Sequence, residues 1–93
     1  RVSAVLGTHT HVPTADERVL AGGTAYQSDV GLTGPVESVI GMDPKTATFR
    51  LRAMRPMPFK VAPGPAAINA TLVSVDPATG KATHIERVYE ALA

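Results

Sequence analysis

Eight glycines and eight prolines are scattered through 93 residues, and they restrict the possible folds more than any other feature. Each proline removes a backbone donor and fixes φ, and each glycine weakens a helix or strand interior. Short elements joined by turns are therefore expected. Large ring fillers are limited to Tyr26, Phe49, Phe59 and Tyr89, which are expected to fill the core. A domain of this size hides only about 60–65% of its unfolded surface even when well packed. A self-sufficient core is marginal, and further chain, covalent or not, is expected to cover part of this one. The opening Arg1-Val2-Ser3-Ala4-Val5-Leu6 already reads as a buried strand, which points the same way.

Composition excludes several classes. Apolar residues make up 44% and charged residues 18%, which suits neither a disordered tail nor a membrane span. No apolar run approaches the ~20 residues that a bilayer requires, so no membrane association is expected and a cytoplasmic location is. With 0 Cys there is no disulfide framework, thiolate zinc site or cysteine nucleophile. A formal charge of +1 is too small to argue for nucleic acid or anionic lipid.

The residue pattern predicts a mostly β chain with one helix. Val2 to Leu6 reads as a buried strand ending at Gly7 and feeding the loop Thr8 to Thr14. Arg18 to Leu20 and Thr24 to Val30 read as a hairpin turning at Gly22-Gly23. Gly31 to Pro35 reads as a loop, and Ser38 to Ile40 as a short strand. Asp43 can cap a helix whose first position suits Pro44, giving a helix from about 44 to about 55 that Pro56 and Pro58 stop. Phe59 to Ala62 reads as a strand. Ile68 to Val75 and Thr83 to Tyr89 flank the turn signal Asp76-Pro77-Ala78-Thr79-Gly80-Lys81 and predict a second hairpin.

Chemistry concentrates in Gly7-Thr8-His9-Thr10-His11-Val12-Pro13. In an extended chain, residues two apart point the same way, so His9 and His11 can present both imidazoles to one place. Neutral imidazole is a common ligand of transition metals. Gly7 would let the backbone approach a metal closely, and a threonine hydroxyl such as that of Thr10 can orient its neighbours. Two ligands fall short of the three or four that a stable site needs. The same residues are also compatible with an ordinary solvated loop. His84 reads as an exposed strand residue rather than a ligand. Arg50, Arg52, Arg55 and Lys60 form a basic stretch that reads as a solvated face, because no aromatic stacking pattern accompanies it.

The run Gly7-Thr8-His9-Thr10-His11-Val12-Pro13-Thr14-Ala15-Asp16-Glu17-Arg18 resembles the last metal-binding motif of the calcineurin-type metallophosphoesterases, closest to the YmdB-like bacterial phosphodiesterases. The likeness continues through Gly22 to Tyr26, Asp29 to Pro35 and Ser38 to Met42, and more loosely to Arg87. It implies an α/β fold: the C-terminal part of a four-layer αββα sandwich, with residues 1–93 as a fragment of a single domain. It implies that His9 ligates one metal and His11 the other, in a centre of two divalent ions, iron or manganese. The remaining ligands and the general acid belong to motifs upstream, so no catalytic residue is expected within this segment. Asp29, ending a strand beside Gly31, is a candidate to support the imidazoles, as is Thr10. An Asp serving only its own turn explains Asp29 equally well.

The implied activity of the complete protein is hydrolysis of phosphodiesters, by resemblance cyclic nucleotides of the 2′,3′ type. The implied partners are the N-terminal part of the same domain and further copies in a homo-oligomer. The alternative is a non-catalytic assembly or regulatory piece. A nucleic-acid-binding module has only the basic stretch in its favour.

Overall fold

A computed structural model describes residues 2–92. Its first sheet contains β1 (Ala4–Leu6), β2 (Arg18–Val19) and β3 (Ala25–Gln27) in the order β1-β3-β2. β1 runs parallel to β3, with Val5 opposite Tyr26, and β2 runs antiparallel to it, with Val19 opposite Ala25. The β2–β3 hairpin turns where expected: the Gly23 N–H donates to the Leu20 carbonyl at 2.8 Å, and the Leu20 N–H to the Thr24 carbonyl at 2.8 Å.

The second sheet has the order β4-β5-β6, from β4 (Gly34–Pro35), β5 (Ala66–Val75) and β6 (Ala82–Ala91). β5 and β6 form a long antiparallel hairpin in which Asn69 faces Tyr89 and Ser74 faces His84, with an irregularity at Ser74/Val75. Asp76 closes its turn, accepting from the Ala78 N–H on its side chain and from the Gly80 N–H on its carbonyl.

Between β4 and β5 lies α1 (Pro44–Ala53). The Asp43 carboxylate caps it, accepting from the Thr46 N–H at 3.2 Å and the Thr46 hydroxyl at 3.1 Å. A cap of this kind is worth about 1 kcal/mol. The helix ends two residues earlier than the sequence suggests. Met54 takes a left-handed conformation (φ 53°) and returns its N–H to the Arg50 carbonyl, because Pro56 disfavours a helical Arg55.

Other expectations are corrected. Gly34-Pro35 is a strand and not loop, and Pro35 is tolerated because β4 is an edge. Ser38 to Ile40 forms no strand; Val39 and Met42 pair around a tight turn instead. Phe59 to Ala62 contributes one bridge, from Val61 to Met42, since Pro56, Pro58 and Pro63 prevent a longer ladder. The first strand begins at Ala4 and is not buried: Val2, Val5 and Leu6 are all exposed. The aromatic residues fill no core either. Phe49, Phe59 and Tyr89 are exposed, and Tyr26 is half-buried.

The buried apolar residues are small: Ala25, Ala47, Ala62, Ala67 and Ala82, with Met42 the exception. The largest fully buried side chains are polar, Gln27 and Asp29. Such groups are tolerated only when hydrogen-bonded, and they are. The Gln27 Nε2 donates to the Thr14 carbonyl at 3.1 Å and the Asp29 carbonyl at 3.0 Å, while its Oε1 accepts from the Thr71 hydroxyl. Gln27 thereby ties the first sheet to β5. Further ties run from the Ala82 N–H to the Gly23 carbonyl and from Arg87 to Glu17 at 3.0 Å. No helix among the described residues is long and apolar enough to cross a membrane.

Candidate metal site

The loop from Thr8 to Thr14 leaves the end of β1 and is set by what lies behind it. Gly7 donates its N–H to the Gln27 carbonyl, and its own carbonyl accepts from Val30, each at 2.9 Å. A Cβ on Gly7 would lie 1.9 Å from the Ser28 carbonyl oxygen. Its small size therefore serves close approach of the backbone at Ser28, just past β3.

Beyond Gly7 the chain turns sharply. His9 (φ 114°) and His11 (φ 72°) both lie in the left-handed half of backbone space, uncommon for residues with a Cβ. The strand-like alternation expected to align the imidazoles does not exist here. The loop is held in its turned form by a hydrogen-bond frame. His9 is exposed and His11 half-buried.

Asp29 is the centre of that frame. Only 2% exposed, it accepts on one carboxylate oxygen from the Thr10 N–H at 2.8 Å and the Thr10 hydroxyl at 2.7 Å. The other oxygen accepts from the Gly31 N–H at 2.8 Å. The Asp29 backbone binds Thr14 in both directions, its N–H donating to the Thr14 hydroxyl and its carbonyl accepting from the Thr14 N–H, each at 3.0 Å. The Thr10 hydroxyl holds the Asp29 carboxyl below its usual range, with the Gly31 and Thr10 N–H groups assisting against burial. The carboxylate thus grips the residue between the two histidines and touches neither imidazole. Of the two readings of Asp29, the turn is visible at Gly31; the carboxylate bonds no imidazole nitrogen and reaches the loop through Thr10 instead.

His11 is fixed at two further points. Its carbonyl accepts from the Leu32 N–H at 3.1 Å, and its Nδ1 lies 2.8 Å from the Ile40 carbonyl oxygen. Asp16 pins the far side of the loop to Ser28, just past β3, accepting from the Thr14 hydroxyl at 2.6 Å and from the Ser28 N–H and hydroxyl. In the sequence, Asp16 lies beyond Pro13 at no ligand spacing from the histidines, and nothing marks Gln27 or the Ile40 carbonyl. His84 stands exposed on β6 beside Glu86, 3.9 Å away. Arg50 and Arg52 lie on α1, with Arg55 and Lys60 beyond it, and Arg50 sits over the Phe59 ring at 5.5 Å. Among the described residues no three His, Cys, Asp or Glu side chains are grouped to hold a metal.

The model of a family described as YmdB-like protein matches residues 1–88. Over 88 residues the chain is 48% identical to the 2′,3′-cyclic-nucleotide 2′-phosphodiesterase of Bacillus subtilis (strain 168), covering 95% of this chain and 33% of the relative. A crystal structure of a hypothetical protein from Thermus thermophilus superposes with a TM-score of 0.90 at 44% identity, over 98% of this chain and 35% of that one. A crystal structure described as a novel phosphatase from Mycoplasma pneumoniae gives 0.91 at 37% identity, over 97% and 32%. The chain belongs to the YmdB-like family, within the metallophosphoesterase superfamily. It spans about a third of the length of the relatives it matches. The mixed α/β architecture with one helix expected from the sequence stands.

Proposed function

We propose that this chain is the C-terminal part of a single metallophosphoesterase domain and supplies His9 and His11 to the binuclear metal centre of a phosphodiesterase. The substrates proposed are phosphodiesters, cyclic nucleotides of the 2′,3′ type in particular, by analogy with the Bacillus subtilis relative named for that activity. The observation that carries the reading is the frame itself. A buried carboxylate, a backbone carbonyl and two neighbouring amides hold an exposed two-histidine loop in an unfavourable backbone conformation. Strained loops persist where the surroundings over-determine them, and they cluster at functional sites.

The donor set suits half of such a centre: two imidazoles, with the other ligands to come from outside residues 1–93. Bound there, two divalent ions, iron or manganese, supply Lewis acidity toward a phosphodiester and toward its attacking water. His9 and His11 hold position, and Asp29, through Thr10, keeps the loop from relaxing. By itself the segment is expected to be inactive. A cytoplasmic homo-oligomer belongs to the same proposal.

The test uses the complete protein. His9→Ala, His11→Ala and the double variant should each keep the wild-type circular dichroism spectrum. Each should lose metal by elemental analysis and lower hydrolysis of a 2′,3′-cyclic nucleotide by orders of magnitude. Full activity in the double variant overturns the proposal. A non-catalytic assembly role is the second reading, favoured by the absence of a three-ligand cluster among the described residues. Unchanged metal content in both single variants would select it.

A further inference from the structure

The contact between His11 and Ile40 spans 29 positions of sequence, and nothing in the loop motif announces it. A carbonyl oxygen can only accept, so at 2.8 Å from it the His11 Nδ1 carries the proton. A neutral imidazole protonated at Nδ1 has its lone pair on Nε2.

The Ile40 carbonyl is aimed by a turn with a peculiar sequence. Val39 and Met42 exchange both backbone hydrogen bonds at 2.9 Å, leaving Ile40 and Gly41 as the two central residues. Both have positive φ, 47° and 94°, the signature of the tight hairpin turn that favours Asn-Gly or Gly-Gly. Glycine at the second place meets the rule. Isoleucine at the first breaks it, since a β-branched residue with positive φ is a genuine outlier. Ile40 gains little by packing there, being 46% exposed.

The surroundings force the conformation from both flanks. The Ser38 hydroxyl accepts from the Gly41 N–H at 3.0 Å and donates to the Pro35 carbonyl at 2.8 Å. The Gly41 carbonyl accepts from Ala62, and the Asp43 N–H reaches the Lys60 carbonyl. A Cβ on Gly41 would strike the Leu32 side chain at 2.9 Å, and Leu32 also donates its N–H to the His11 carbonyl. The turn and the histidine loop are therefore braced against a common residue.

We infer that the Ile40–Gly41 turn is the positioning element of His11: its carbonyl fixes the imidazole as the Nδ1–H tautomer and so selects Nε2 as the atom offered to a ligand. The turn is assigned this role through its contact with His11. This rests on the proposed role of His11, and the experiment separates the two.

Nitrogen-15 NMR of the metal-free complete protein reads the His11 tautomer directly. The wild type should show Nδ1–H. Ile40→Gly, which accepts positive φ, should keep that tautomer and bind Mn²⁺ within about twofold of wild type. Ile40→Pro cannot adopt the turn; it should mix the tautomers and weaken Mn²⁺ binding ~10–100-fold, the usual cost of losing a group that orients a ligand. Rescue by glycine with loss by proline identifies the carbonyl, not the isoleucine side chain, as the acting group. An Nε2–H tautomer in the wild type overturns the inference even if Ile40→Pro fails to fold, and leaves the metal role of His11 standing. The expected tautomers together with unchanged Mn²⁺ affinity in His11→Ala establish the positioning and overturn the metal role.

Discussion

Asp16 accepts hydrogen bonds from the side chains of Ser28 and Thr14 and from the Ser28 N–H, and these lower its pKa from 3.8 to about 2, the Ser28 hydroxyl contributing most. Glu17 is lowered by its own backbone N–H and then by Arg87, and Asp29 chiefly by the Thr10 hydroxyl. A carboxyl whose folded pKa is depressed adds stability above its unfolded pKa and forfeits it as pH falls through the folded value. All three groups act in the same sense, and all brace the loop or its neighbouring strands. Stability is expected to be flat from pH 7 to about 5 and to fall between about pH 4 and pH 2. Urea unfolding of the complete protein at stepped pH checks this. Asp16→Asn should lower stability at pH 7 and flatten the acid limb, because the asparagine keeps one acceptor and has no charge to lose. An equally steep acid limb in that variant would show that Asp16 is not among the groups responsible.

At the level of elements, the spacing of β1 from β3 depends on a missing side chain. Gly7→Ala places a Cβ 1.9 Å from a backbone oxygen, and a backbone atom cannot swing away as a flexible side chain can. The variant should cost about 3 kcal/mol in urea unfolding, the upper range for overpacking. Gly22→Ala, with nothing within 4 Å, should stay within about 0.5 kcal/mol of wild type. If the two variants behave alike, the parallel pairing of Val5 with Tyr26 is not as close as described. The same contrast explains what the sequence could tell. The two hairpins and the helix start were legible because Gly22-Gly23, Asp76 to Lys81 and Asp43-Pro44 carry local turn and cap chemistry. The β4 pairing was not, because Gly34-Pro35 has the composition of a loop and is made a strand by its long-range partner Ala66-Ala67. At the site, the histidine loop and Asp29 were legible as residue types. Their arrangement was not: the positive φ at His9 and His11 follows from bonds to Asp29 and Leu32, and a carbonyl such as that of Ile40 has no sequence signature.

Taken whole, the described residues are elongated. The radius of gyration is 16.9 Å and the extents are 54 × 31 × 18 Å, whereas a compact domain of this length has a radius near ~12 Å. The inside is alanine and hydrogen-bonded polar groups, while Leu51, Met54, Phe59, Val61, Leu72 and Tyr89 are exposed. Burying an apolar side chain of that size is worth about 1.5–3 kcal/mol, so the strongest stabilising contacts these residues could make are the ones they lack among themselves. The marginal core expected from composition is thus borne out in kind, although its aromatic fillers lie outside it. Residues 1–93 expressed alone should bind a hydrophobic dye such as ANS and melt over a broad range, whereas the complete protein should exclude the dye and melt sharply. Calorimetry and dye fluorescence on the two samples provide the comparison. A sharp, dye-free transition in the short chain would mean that its alanine and glutamine interior suffices. The proposal that it is one part of a larger single domain would then have to be abandoned, while His9 and His11 could still be tested as ligands in their own right.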